Sequence, residues 1–175
     1  MLEFGWMFAK IKCRLYGGKE VLAQYLRKQG MYVGQNVKTA SQLKTAEPYL
    51  VTIGDNVTIS HGVEVITHDN SVCKIFGVDH DIYGRIVIGN NCFIGARAII
   101  MYGVTLADNV IVGAGSVVTK SVDQSNVIVA GNPAKIIGTW NDYENKVKEN
   151  VIHAGHMSYK EKKEYILTTD RLIVR

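Results

Sequence analysis

Proline and cysteine are scarce in this chain, with two and three among 175 residues. The cysteines, Cys13, Cys73 and Cys92, are odd in number and never spaced as CxxC. That excludes a disulfide scaffold or a zinc ribbon and points to a reducing compartment, the cytoplasm. No apolar run approaches the roughly 20 residues that cross a bilayer. The opening MLEFGWMFAKIKCRLYGG sets its basic residues after its apolar ones, with no small-residue cleavage site, so it does not read as a secretion signal. An excess of positive charge is missing where nucleic acid would need it: residues 31–140 carry seven Lys/Arg against eight Asp/Glu. Residues 141–175 carry seven against six, and only residues 1–30, with six against two, suit an anionic partner. What remains is ordinary globular composition, 47% hydrophobic and 21% charged, and the length of one domain with a sizeable core.

What the sequence does have is a period. From Ile88 an aliphatic residue recurs every six positions: Ile88, Ile94, Ile100, Leu106, Val112, Val118. Four residues after each stands a small or β-branched one: Cys92, Ala98, Val104, Val110, Ser116, Val122. The register also runs through Ile53-Gly54, Ile59-Ser60 and Val65-Ile66, and a further copy is Val33-Gly34-Gln35-Asn36-Val37. Six fits neither a helix period nor long alternating strands. It fits short straight segments of about 20 Å joined by tight corners. Three such faces close a coil of eighteen residues, with the aliphatic side chains inside and parallel ladders between coils. Asp55-Asn56, Asn90-Asn91 and Asp108-Asn109 tolerate the left-handed backbone of the corners. No coil buries its own faces alone, so several must stack.

Ile88 to Val122, followed by Val129-Ala130-Gly131-Asn132-Pro133-Ala134-Lys135, resembles the hexapeptide-repeat acyltransferases. The resemblance covers about residues 31–138. Within it, Glu47-Pro48-Tyr49-Leu50-Val51-Thr52-Ile53-Gly54 through Thr67-His68-Asp69 is similar to the capsular and lipopolysaccharide sugar O-acetyltransferase branch, near the galactoside and maltose O-acetyltransferases. It implies a mainly β fold, a left-handed parallel β-helix. The domain reading is residues 1–30 as a helical cap, 31–138 as the β-helix, and 139–175 as a helical extension.

The stripe Phe4, Phe8, Ile11, Leu15 predicts a first short helix with that face inward, broken at Gly17-Gly18. Val21, Leu22, Tyr25 and Leu26 predict a second, stopped at Gly30. Their role is to cap the open end of the coil; a weak peripheral contact with an anionic membrane is the sharper alternative. Beyond Gly138, Asn141 with Glu144 predicts a helix start, its face formed by Tyr143, Val147 and Val151. Ser158 with Glu161 predicts a capping box. His153 and His156, without a third ligand, read as surface residues.

The repeat breaks once. The hexad after Val65 is missing and the pattern resumes at Ile88, which predicts a seventeen-residue insertion over residues 71–87. Long insertions in a regular solenoid sit at working sites. Beside it stands His68. A sugar hydroxyl is a poor nucleophile at neutral pH, and histidine is matched to its deprotonation. His68 aligns with the family's catalytic histidine, and His61 and His80 are its rivals. The base needs an acceptor on its other nitrogen: Glu47 is the first choice, with Asp69 and Asp79 as alternatives. Cys73 lacks a second His–acid pair to make it a nucleophile. The resemblance implies acetyl-CoA as co-substrate, held by Ala96, Ala114, Thr119, Lys120 and Lys135, with the Ala96 N–H facing the oxyanion. It implies direct transfer, no metal, a small-molecule or glycan acceptor, and a homotrimer with its active sites between subunits. Phe93, Ile99, Met101, Tyr102 and Ile111, left facing outward, fit such an interface. The rival readings are an antibiotic acetyltransferase, a carbonic anhydrase on the same coil, and a non-catalytic scaffold.

Overall fold

The period of six becomes a coil with three faces. The computed structural model describes residues 5–11 and 20–173, and the chain divides into the units Met1–Gly138 and Thr139–Arg175. In the first unit, one face stacks β1 (Tyr32–Val33), β3 (Val51–Ile53), β8 (Ile86–Ile88) and β11 (Thr105–Leu106). The second face stacks β2 (Lys38–Thr39), β4 (Thr58–Ile59), β9 (Phe93–Ile94), β12 (Val110–Val112), β14 (Val127–Gly131) and β15 (Ala134–Thr139). The third stacks β5 (Glu64–Val65), β10 (Ile99–Ile100) and β13 (Val117–Val118). Coil-to-coil pairing is parallel: Ile88 pairs with Leu106, Phe93 with Ile111 and Ile99 with Val117, each eighteen residues on.

The interior is filled as the repeat requires. Ile53, Ile59, Ile88, Ile94, Ile100, Leu106 and Val112 are all at most 1% exposed. Each such side chain contributes roughly 1.5–3 kcal/mol of burial. The small-residue positions Cys92, Ala98, Val104, Val110 and Ser116 are buried beside them.

Asparagine shapes the corner between the first and second faces. Asn36, Asn56, Asn91 and Asn109 stand there at φ 55°, 57°, 54° and 60°. Their amides stack: Asn36 Nδ2 donates to Asn56 Oδ1 at 3.2 Å and Asn91 Nδ2 to Asn109 Oδ1 at 2.8 Å. The preceding residue binds backbone of the coil below: Gln35 N–H meets Asp55 Oδ1 at 2.7 Å, Asp55 N–H meets Asn90 Oδ1 at 2.9 Å, and Asn90 N–H meets Asp108 Oδ1 at 2.6 Å. The chemistry that tolerates a left-handed turn thus also locks successive coils in register.

The insertion lies three residues earlier than the repeat alone suggests. Val51 pairs with Ile86, Thr58 with Phe93 and Glu64 with Ile99, each thirty-five residues on, one coil of eighteen plus seventeen. The excursion leaves the coil at β6 (His68–Asp69), runs through α3 (Cys73–Phe76) and returns in β7 (Ile82–Tyr83), antiparallel to β6. Ile86 is already fully buried, so the coil resumes there and not at Ile88. The aliphatic-glycine signature marks the end of a strand, and so places the return two residues late, at the last residue of β8 instead of its first.

The amino-terminal helices need a correction too. Residues 5–11 are helical (α1), but Trp6 and Ala9 are buried while Phe8 and Ile11 are exposed; Phe4 and Leu15 lie outside the described residues. Trp6 packs on Tyr25 with ring centroids 5.1 Å apart. The larger ring thus turns inward, and Phe8 and Ile11, the described part of the stripe, lie on the outer face. α2 (Glu20–Gln29) buries Ala23, Tyr25 and Leu26 and stops at Gly30, φ 105°.

In the second unit, α4 (Trp140–Val147) is capped by Thr139, not Asn141. β15 runs extended to Thr139, whose hydroxyl accepts from Asp142 N–H at 3.2 Å while Asp142 Oδ2 accepts from Thr139 N–H at 3.0 Å. Tyr143 and Val151 are exposed, and Val151 lies past the helix end. α5 (Tyr159–Thr168) carries the Ser158–Glu161 capping box. No helix among the described residues is long and apolar enough to cross a membrane.

Candidate active site

His68 stands where the third face turns toward the first, at the root of the excursion. Val63, Val65 and Thr67 alternate into the interior, which leaves His68 on the outer side. Across the root, Gly84 N–H bonds Thr67 O at 3.0 Å. A Cβ on Gly84 would sit 2.4 Å from Gly103 N, so only glycine lets the returning strand close this tightly.

The first coil places the acid. Glu47 precedes a 3-10 turn, Pro48–Leu50, in a stretch that gives this coil two extra residues: Val33 pairs with Ile53, twenty on. Glu47 Oε2 lies 2.9 Å from His68 Nδ1, with the side chains 12% and 38% exposed. The same oxygen accepts from Thr67 Oγ1 at 2.6 Å, and Thr45 Oγ1 meets Thr67 Oγ1 in turn. The Glu47 carboxyl is held below its ordinary value, first by the Thr67 hydrogen bond, with burial opposing and the bond and charge of His68 adding. A carboxylate only accepts, so the network assigns the proton of neutral His68 to Nδ1 and leaves Nε2 as a free base.

Around this pair, the Tyr83 ring lies tilted 5.9 Å from that of His68. Tyr83 donates to Asp81 Oδ2 at 3.1 Å, which pushes its hydroxyl up. Asp69 accepts from Ser71 N–H at 2.8 Å and Tyr102 Oη at 3.2 Å, and these bonds hold its carboxyl down. Of the three candidate acids, Glu47 is therefore the one bonded to His68. His80 turns its Nδ1 to Val78 O and Gly77 O within its own loop, at 3.0 and 3.1 Å. His61 is exposed at a different corner. Among the described residues no three His, Cys, Asp or Glu side chains gather where a metal ion could sit. Cys73 and Cys92 are free thiols; Cys13 lies outside the described residues.

The residues expected around the coenzyme fall into three groups. Ala96-Arg97 and Ala114-Gly115 stack at the corner between the second and third faces, with Gly115 N–H on Ala96 O at 2.8 Å. Among the described residues no acceptor meets the N–H of Ala96 or Ala114. A Cβ on Gly95 would lie 2.5 Å from Ala114 N, so glycine keeps these coils in close contact. Thr119 and Lys120 follow β13 at the corner that also carries His68, and exposed Lys135 lies on β15. The chain thus brings Glu47 to His68 but sets Ala96 and Ala114 along the opposite edge of the third face. Thr45 and Thr67 escaped the sequence reading as site residues, and Tyr102 was read only as part of an outward face. Only Thr67 left a signal, as a hydroxyl at an inward, apolar position.

Residues 85–120 match the family model described as the hexapeptide repeat of succinyl-transferase. The chain is 47% identical over 148 residues to Protein CapG of Staphylococcus aureus, covering 81% of this chain and 85% of that one. It is 38% identical over 113 residues to the galactoside O-acetyltransferase of Escherichia coli strain K12, covering 64% and 55%. A solved galactoside acetyltransferase in complex with coenzyme A matches the fold with a TM-score of 0.56 at 25% identity, over 82% of this chain and 84% of that one. With its repeat, its coil and these relatives, the chain belongs to the hexapeptide-repeat acyltransferase family.

Proposed function

We propose that this protein is an acetyl-CoA-dependent O-acetyltransferase that acylates a hydroxyl of a sugar or polysaccharide precursor. The observation that carries the reading is the His68 Nδ1–Glu47 Oε2 contact of 2.9 Å, which leaves Nε2 as a base beside the excursion. The acyltransferase family and the galactoside-acetylating relative support the reaction class and the acceptor class.

His68 Nε2 removes the proton of the acceptor hydroxyl as its oxygen attacks the acetyl carbonyl. The new C–O bond forms, the C–S bond breaks, and the proton leaves with the thiol. Glu47 stabilises the imidazolium formed on the way. Acetyl-CoA supplies the acyl group as co-substrate. The open N–H groups at Ala96 and Ala114, beside methyl-sized side chains, fit a thioester and its pantetheine amides. The Ala96 N–H takes the oxyanion, and Thr119, Lys120 and Lys135 hold the rest of the coenzyme. Because His68 and Ala96 occupy different edges of the third face, the site is completed between chains. The assembly is a homotrimer of coils wound left-handed as in the family, joined through outward residues such as Phe93, Ile99 and Ile111.

The test is His68→Ala. It lowers kcat by about 10²–10⁴, the contribution of a general base, while acetyl-CoA binding is kept. Activity within about tenfold of wild type, with His61→Ala or His80→Ala inactive instead, moves the site.

A further inference from the structure

We infer that Thr45 and Thr67 close a circuit of hydrogen bonds with Glu47 that sets the orientation and tautomer of His68, so that both threonines are positioning residues of the active site. The inference rests on His68 being the base.

The circuit follows from counting protons. Glu47 N–H donates to Thr45 Oγ1 at 3.4 Å. The two threonine hydroxyls touch. Thr67 Oγ1 donates to Glu47 Oε2 at 2.6 Å. A hydroxyl has one proton to give. Thr67 gives its proton to the carboxylate, so it accepts from Thr45, and Thr45 accepts from the Glu47 backbone. The path begins on the Glu47 main chain and ends on the Glu47 side chain. It leaves one direction for the last bond, from His68 Nδ1–H to the same Oε2.

Burial gives the circuit its force. Thr67 is 1% exposed, so no bulk water replaces its hydroxyl if that is removed. Its bond to Glu47 is the foremost reason the carboxyl stays low. Among the described residues, the titratable groups near the pair include Tyr49 in the 3-10 turn, Asp69 on β6, and Tyr83 with Asp81 at β7. Asp81 and Asp69 are occupied with Tyr83 and with Ser71 and Tyr102, and neither substitutes for Thr67.

The sign of the pH effect follows. The Glu47 pKa is lowered in the folded chain, so the carboxylate persists until the pH falls well into the acid range. Removing the Thr67 hydroxyl lets the carboxyl protonate at a higher pH. The acid limb of kcat/KM, reached when the base takes up a proton, then moves up, because a Glu47 carboxylate with one donor fewer attracts the His68 Nδ1–H more strongly and favours the imidazolium over the free base.

The experiment uses the full chain with Thr67→Val, Thr67→Ser, Thr45→Val and His68→Ala. It records kcat/KM against pH with acetyl-CoA and methyl β-galactoside. It also records the histidine tautomers by ¹⁵N NMR, which needs no acceptor. Thr67→Val is expected to lose about 10–100-fold, as for loss of a partner that orients a reactive group. Its acid limb moves to higher pH and His68 no longer holds its proton at Nδ1 alone. Thr67→Ser restores rate, limb and tautomer, and Thr45→Val shifts them the same way by less. If Thr67→Val does not fold, the Thr45→Val and Thr67→Ser pair carries the comparison. Wild-type pH profile and tautomer in folded Thr67→Val, or in Thr45→Val if the former is unfolded, overturns the inference. An active His68→Ala overturns instead the assignment of the base.

Discussion

Glu47→Gln isolates the charge of the acid from its hydrogen bond. The amide oxygen of glutamine still accepts from His68 Nδ1, so geometry and tautomer survive and only the negative charge goes. At the observed 2.9 Å, a carboxylate and an imidazolium attract by about 6 kcal/mol at an effective dielectric of about 20. His68 is 38% exposed, and solvent screens part of this. About 2–4 kcal/mol is left for the transition state, in which the imidazolium forms, equivalent to a loss of about 30- to 1,000-fold in kcat/KM. The assay follows thioester loss from acetyl-CoA for wild type, Glu47→Gln, His68→Ala and the double variant. Because Glu47 acts only through His68, the double variant is no slower than His68→Ala alone. A Glu47→Gln enzyme within about threefold of wild type, or losses that multiply in the double variant, refutes the reasoning.

Asn109→Ala loses the bond from Asn91 and puts a side chain with no compensating amide at φ 60°. About 2 kcal/mol of stability goes, which a thermal melt reads as a drop of about 4–8 °C. Asn109→Gly, free of the left-handed strain, falls by less. Gly95→Ala forces a Cβ to 2.5 Å from Ala114 N and separates the coils beneath Ala96, so kcat/KM falls with a stability loss of about 1–3 kcal/mol. Light scattering is expected to find a mass near three times 19.4 kDa. In mixtures, His68→Ala chains and chains blocked by Ala114→Trp restore part of the activity to each other; a fully active monomer overturns the shared site.

The coil was legible because its signal is local and repeated. Ile88, Ile94 and Ile100 each report the same contact with their own interior, and Asn91 and Asn109 report the same corner. His68 was legible as a candidate, because it borders the break in the pattern. Glu47 was only the first of three candidates, since its approach to His68 depends on how the two extra residues of the first coil are taken up, and no period records that. Thr45 stayed hidden for the same reason. The inward turn of Trp6 in place of Phe8 was illegible because seven helical residues offer two apolar faces, and only packing against Tyr25 chooses between them.

The phase across the excursion has a wider consequence. Three separate pairings, Val51–Ile86, Thr58–Phe93 and Glu64–Ile99, keep one offset, and the bond from Asp55 N–H to Asn90 bridges the gap at the opposite corner. The scaffold therefore does not register how long the detour is, provided both ends meet at Thr67 and Gly84. Descendants of this gene can rewrite the detour in length and content while inheriting the coil unchanged. His68 stands at the boundary, fixed by the part that must be conserved and facing the part that is free to vary. The layout lets selection change what is presented to His68 without disturbing what holds it.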